Sequence, residues 1–181
     1  MTSKTVKLSD IIIPKFHTLV NDHEHVHQIL TSGRAGTKSS FMAILVDFLL
    51  VSDPHAAAIV MRKHHNKLRK TVFNECQRAI KRLGLSKSLF KITKSPMQIT
   101  YRRTGSTVYF TGSDSIDDTK GMIDDENTIK LVVLDELTEF FDKGDGEDEI
   151  SNIVATFVRG NDEDFRMLYL YNPPKNPKAP I

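Results

Sequence analysis

The feature that most restricts the fold is the run Ile129-Lys130-Leu131-Val132-Val133-Leu134, followed at once by Asp135 and Glu136. An almost continuously apolar strand is one covered on both faces, so the run predicts the centre of a parallel sheet with helices packed on either side. The rest of the chain alternates in the same sense. Strands are expected at Val26 to Leu30, Ala56 to Met61 and Arg166 to Tyr171. Helices are expected from Lys38 to Leu50, His64 to Leu83 and Glu149 to Val158, the second carrying Leu68, Val72, Phe73, Cys76, Ala79, Ile80 and Leu83 at helical spacing. Gly84 closes that helix, and Ser52-Asp53-Pro54 stops the one before it. Gln98 to Tyr101 and Thr107 to Phe110 flank Thr104-Gly105-Ser106, which predicts an antiparallel hairpin.

With 181 residues the chain suits one domain. Its longest apolar run, Phe41 to Val51, is interrupted by Asp47 and falls short of the roughly 20 residues that cross a bilayer. The polar N-terminus lacks a signal-peptide core, so an intracellular protein without a membrane role is expected. One cysteine, Cys76, excludes an internal disulfide and every multi-cysteine zinc pattern, and reads as a small core residue. Charge is uneven. Thirteen Lys or Arg and one acid, Glu75, lie between Arg62 and Arg103, whereas fourteen acids and three lysines lie between Gly112 and Glu149. That asymmetry fits either a polyanion on one side and a metal on the other, or two surfaces that attract each other.

Two motifs carry chemistry. Ser32-Gly33-Arg34-Ala35-Gly36-Thr37-Lys38-Ser39 sits between a predicted strand and a predicted helix, where a phosphate-binding loop belongs. Both signature glycines are replaced, by Ser32 and Thr37, but Gly33 and Gly36 remain, and so does Lys-Ser at the helix start. About 100 residues later, Asp135 ends a buried strand and can deliver a carboxylate to a Mg²⁺ shell, with Glu136 beside it to deprotonate water. Together, in this order, the two point to a hydrolytic ATPase of α/β class, a RecA-like P-loop NTPase with a mainly parallel sheet. His23, His25 and His27 would share a strand face, but no partner pattern for a metal follows them.

These residues carry a resemblance to the ATPase domain of phage terminase large subunits. TSGRAGTKSSFMA resembles that family's deviant phosphate-binding loop, LVVLDELTEF its strand with the catalytic acid, and SIDDTKG (Ser115 to Gly121) the segment upstream of that strand. YLYNPP (Tyr169 to Pro174) is similar to its coupling motif. The resemblance implies that Ser32, Gly33, Arg34, Ala35, Gly36, Thr37, Lys38, Ser39 and Ser40 bind ATP. It puts Lys38 on the β/γ-phosphates, Ser39 and Asp135 around Mg²⁺, Glu136 as general base, Arg34 as a cis-acting arginine and Asn172 as the coupling residue. It also implies that Arg62 and Lys63, after the second strand, lie near the site or the DNA path. The partners implied are double-stranded DNA, a portal protein, a small terminase subunit and copies of itself in a ring on the procapsid, in the host cytoplasm. Residues 1–172 are then the ATPase domain and 173–181 the start of a linker to a C-terminal nuclease domain, whose roughly 200 residues do not fit here. The expected activity is ATP hydrolysis driving DNA into a procapsid, without DNA cleavage by this chain. The alternatives are a helicase-like or DNA-repair ATPase, or a nucleotide- or DNA-binding module that does not hydrolyse.

Overall fold

A computed structural model describes residues 6–33, 37–115, 121, 126–141, 146–157 and 165–173. Its centre is a seven-stranded sheet formed by β1 (His27–Thr31), β2 (Ala56–Arg62), β3 (Phe90–Lys94), β4 (Met97–Tyr101), β5 (Thr107–Gly112), β6 (Thr128–Asp135) and β7 (Arg166–Tyr171), in the order β1-β7-β6-β2-β5-β4-β3. The strands from β1 to β5 in that order run parallel, and β4 is antiparallel to both β5 and β3. The mainly parallel sheet and the antiparallel hairpin are therefore both present.

Period-two geometry sends alternate side chains of each central strand into two separate apolar layers. Ala58 and Val60 of β2, Leu131 and Val133 of β6, and Leu168 and Leu170 of β7 face one layer. That layer is completed by α3 (Lys38–Ser52) and α5 (Val72–Arg82). Ile59, Met61, Val132, Leu134, Met167 and Tyr169 face the other, beneath α6 (Gly146–Phe157) and a 3-10 turn at Leu137–Phe141. All seven residues of β2 are buried, and Leu131 to Asp135 of β6 are buried as well, which is why the central run reads as almost continuously apolar.

Three differences from the sequence reading have local causes. The single helix expected from His64 to Leu83 is two, α4 (His65–Leu68) and α5. At the break the Thr71 hydroxyl donates to the Lys67 carbonyl at 2.7 Å, a side-chain bond that competes with helix continuation. Strand β3 was not expected; it pairs with β4 through the turn at Ser95-Pro96, and only its first residue, Phe90, is fully buried. The N-terminal stretch is not a bare polar arm either. After α1 (Leu8–Ile11), a 3-10 turn at Pro14–Phe16 and α2 (His17–Val20) follow, and Phe16 stacks on Phe41 of α3 at 4.6 Å between ring centres.

Two glycines do conformational work. Gly84 has φ of +72° and lets Leu85 N–H reach the Ile80 carbonyl at 3.1 Å, which ends α5 as expected. Gly105, at φ +77°, turns the β4–β5 loop. Cys76 is buried in the α3–α5 layer, where burial pushes its thiol well above the usual range, as suits a core residue. Among the described residues, no helix is long and apolar enough to cross a membrane. Most of the expected linker, residues 174–181, lies outside the described residues.

Candidate active site

Register brings the chemistry-bearing residues to one edge of the sheet. Thr31 pairs with Tyr171 across β1 and β7, so Ser32 and Asn172 emerge side by side. Leu134 pairs with Met61 across β6 and β2, so Asp135 and Arg62 emerge level with each other. Because β7 lies between β1 and β6, Asn172 leaves the sheet between the loop that precedes Lys38 and the two acids.

Side-chain contacts close the circuit. The Lys38 ammonium, at the start of α3, donates to the Ser32 carbonyl at 3.2 Å, to the Ser32 hydroxyl at 2.9 Å and to Asn172 Oδ1 at 2.8 Å. The Asn172 amide donates in turn to Glu136, at 3.3 Å to Oε2 and 3.5 Å to Oε1. One carboxamide thus bridges the cation and the proposed base. On the far side the Arg62 guanidinium lies 3.0 Å from Asp135 Oδ2 through Nε and 3.5 Å from Glu136 Oε1 through Nη2. Glu136 has φ of +56°, a left-handed conformation uncommon for a non-glycine residue and one that persists only where surrounding contacts impose it.

Electrostatics at this edge are those of a site short of positive charge. Burial pushes the Asp135 carboxyl up to about 6, Glu136 and Glu139 push in the same direction, and Arg62 and Lys38 offset only part of it. Burial also lowers the Lys38 ammonium, with Glu136 and Asp135 restoring some of the loss and Lys15 opposing them. Arg62 Nε and Glu139 Oε2 are buried without a hydrogen-bond partner. Oxygen donors with a deficit of positive charge suit a hard divalent cation such as Mg²⁺, and the buried carboxylate of Asp135 is a donor of that kind.

The expected residues divide as follows. Ser32, Lys38, Asp135, Glu136 and Asn172 converge. Gly33 is open, with nothing within 4 Å of an added Cβ, and Ser39 is half-buried in the first turn of α3. Thr37 precedes α3 and makes no side-chain cap. Ser40 turns elsewhere: its hydroxyl donates to Glu75 at 2.9 Å, within a cluster that includes Arg78 and Arg82. Arg34, Ala35 and Gly36 lie outside the described residues, as does most of the Ser115–Gly121 stretch. Among the described residues, His25 bonds Asp22 and His27 bonds the Tyr169 hydroxyl at 2.8 Å. Arg62, placed only loosely by the sequence, and Glu139 are the residues the structure adds. The only signal for Arg62 was that it is a cation at the exit of an apolar strand; that this strand lies beside the Asp135 strand comes from the fold.

The two charged sectors also meet here. Lys63 pairs with Glu149, and Lys67 with Glu139 at 2.8 Å, so mutual attraction accounts for part of the asymmetry. Arg69, Lys70, Lys81, Lys87, Lys91, Lys94, Arg102 and Arg103 remain solvent-exposed.

A mainly parallel sheet that brings Lys38, at a helix start, and the paired acids Asp135 and Glu136 to one edge has the architecture of a P-loop NTPase fold, and comparison with known proteins narrows the class. The family model of the phage terminase large subunit matches residues 24–179, and the chain belongs to that family. The large terminase subunit of Bacillus phage SPP1 is 28% identical over 182 aligned residues, covering 97% of this chain and 42% of the relative. The crystal structure of the HK97 bacteriophage large terminase superposes with a TM-score of 0.63 at 18% identity, covering 88% of this chain and 33% of that one. The N-terminal domain of the DNA packaging ATPase of bacteriophage phi29 gives 0.62 at 15% identity, covering 90% and 79%. The chain thus spans less than half the length of the SPP1 relative.

Proposed function

We propose that this chain hydrolyses ATP as the motor domain of a terminase large subunit and that the hydrolysis drives double-stranded DNA into a procapsid. The observation that carries the reading is the continuous contact path Lys38–Asn172–Glu136–Arg62–Asp135, which unites loops more than 130 residues apart in sequence at one sheet edge. A binding-only module has no need of Glu136 beside the metal-type carboxylate Asp135.

In this reading Lys38 leaves Ser32 and Asn172 to meet the β/γ-phosphates, and the first-turn amides of α3 add positive potential. Ser39 and Asp135 would hold Mg²⁺, which would supply charge neutralisation on the phosphates. Glu136, oriented by Asn172 and Arg62, accepts the proton of the attacking water. Arg34 stabilises charge on the phosphoryl group from within the loop. Asn172, bonded to both Lys38 and Glu136, exchanges partners when Lys38 moves, which is the coupling role implied for it. A cleft of about 150 Å³ beside the start of α3, lined by Ile12, Phe16 and Phe41 together with Thr37, Ser40 and Arg82, offers room for part of the nucleotide away from the phosphates.

The exposed basic residues of α5 and the β3–β4 side supply backbone contacts to duplex DNA, without aromatic residues interleaved for single-strand stacking. The portal protein, the small terminase subunit, a ring of copies and the nuclease domain of a full-length protein complete the assembly, in the host cytoplasm at the portal vertex. The test is ATP turnover by the wild type and by Glu136→Ala. A loss of about 10²–10⁴-fold is expected for removal of a general base. Equal rates would remove Glu136 from the mechanism, and rapid DNA-independent turnover by a stable monomer would contradict the ring motor.

A further inference from the structure

Arg62 belongs to neither of the two motifs that carry the chemistry of the site. It ends β2, a strand buried along its whole length, and is itself only 6% exposed. A buried guanidinium is costly unless it is paired, and here the pairing is divided. Nε lies against Asp135, Nη2 reaches Glu136, and Nη1 donates to the Thr71 hydroxyl at 3.4 Å, at the break before α5. A forked cation that grips one carboxylate with both arms would make two parallel hydrogen bonds. This one does not: its Nε makes no hydrogen bond at all. The guanidinium spans two neighbouring acids instead.

Glu136 needs such a span. Its backbone is left-handed, and its side chain, a third exposed, is restrained by Arg62 on one side and Asn172 on the other. Like-charge repulsion from Asp135 would otherwise drive the carboxylate outward. We infer that Arg62 is a positioning residue for hydrolysis, spanning Asp135 and Glu136 so that Glu136 keeps its strained conformation against Asn172, the residue that also holds Lys38. This rests on the hydrolytic reading above. It predicts a defect in turnover much larger than any defect in binding, because Arg62 orients the base and reaches the metal side only through Asp135, without being among the groups placed on the phosphates.

The test measures kcat for Mg²⁺–ATP and Kd for a non-hydrolysable Mg²⁺–ATP analogue, in wild type, Arg62→Met, Arg62→Lys and Glu136→Gln, under the DNA and protein concentrations at which the wild type turns over. Misplacing a reacting group by about 1 Å costs on the order of 100-fold in rate. Arg62→Met is expected to lose about that factor in kcat with Kd within about threefold, and Arg62→Lys to regain about tenfold of the loss. A kcat within threefold of wild type, a parallel loss of binding and turnover, or a failure of lysine to rescue would overturn the inference. If Arg62→Met does not fold, Arg62→Lys alone decides: a compact ammonium cannot span both acids, so kcat falls about tenfold at unchanged Kd, and wild-type kcat would refute the role. A wild type no faster than Glu136→Gln instead removes the hydrolytic reading itself, a result distinct from any Arg62 outcome.

Discussion

Asp47 presents a physical problem that a substitution can measure. It sits in α3 with no exposed surface, and neither carboxyl oxygen has a hydrogen-bond partner. Burial raises its pKa well above the ordinary 3.8, and the nearby Ile80 backbone amide, outside hydrogen-bond geometry, offsets only part of this. Leaving such a group unsatisfied costs about 1–3 kcal/mol even when it is neutral. Leucine has the same branched shape without the polar atoms, so Asp47→Leu is expected to stabilise the fold by about 2 kcal/mol near pH 4. For a chain of this size that is about 4–8 °C in Tm.

The pH dependence follows from linkage. A folded-state pKa raised above the unfolded value means that the native state binds the extra proton, so stability is full below the unfolded carboxyl pKa and is lost as pH rises. The advantage of Asp47→Leu therefore widens by up to about 1.4 kcal/mol per pH unit above 3.8, until Asp47 ionises within the fold. Asp47→Asn keeps the polarity but cannot titrate, so its difference from Asp47→Leu stays flat with pH. Urea unfolding of the three proteins at a series of pH values reads this directly. A leucine variant less stable than wild type, or an advantage independent of pH, would refute the argument.

Two further outcomes follow from single contacts. Lys38→Met removes the ammonium that meets Ser32 and Asn172, and equilibrium binding of Mg²⁺–ATP is expected to weaken by at least tenfold with the fold intact by circular dichroism. Gly112→Ala would set its Cβ 2.8 Å from the His65 backbone nitrogen, and thermal unfolding should show a loss of about 1–3 kcal/mol from overpacking.

The parts of this molecule legible in the sequence are those whose cause is local. The Leu131–Leu134 run announces burial on both faces because β2 and β7 flank it and two apolar layers cover it. Lys38 and Ser39 announce themselves by standing at a strand-to-helix junction. Arg62 could not be assigned that way, because its meaning depends on β2 lying in register beside β6, a non-local pairing. The break at Thr71 was hidden because apolar spacing continues across it from Leu68 to Val72, while a hydroxyl of ordinary helix tolerance redirects the backbone. Strand β3 is as long as β4, but only its first residue is fully buried, so it lacks the alternation that marks β4. Asn172 was nameable only through the resemblance; from residues alone it is a strand-end asparagine before proline, and its contact with both Lys38 and Glu136 is a product of strand order.

A structure of the protein with Mg²⁺ and a non-hydrolysable ATP analogue tests the account most directly. It should show the Lys38 ammonium moved off Asn172 to within about 3 Å of a β- or γ-phosphate oxygen, with Asp135 and Ser39 flanking the metal and Glu136 facing the γ-phosphate. A triphosphate bound elsewhere, with Lys38 still held by Ser32 and Asn172, would contradict it.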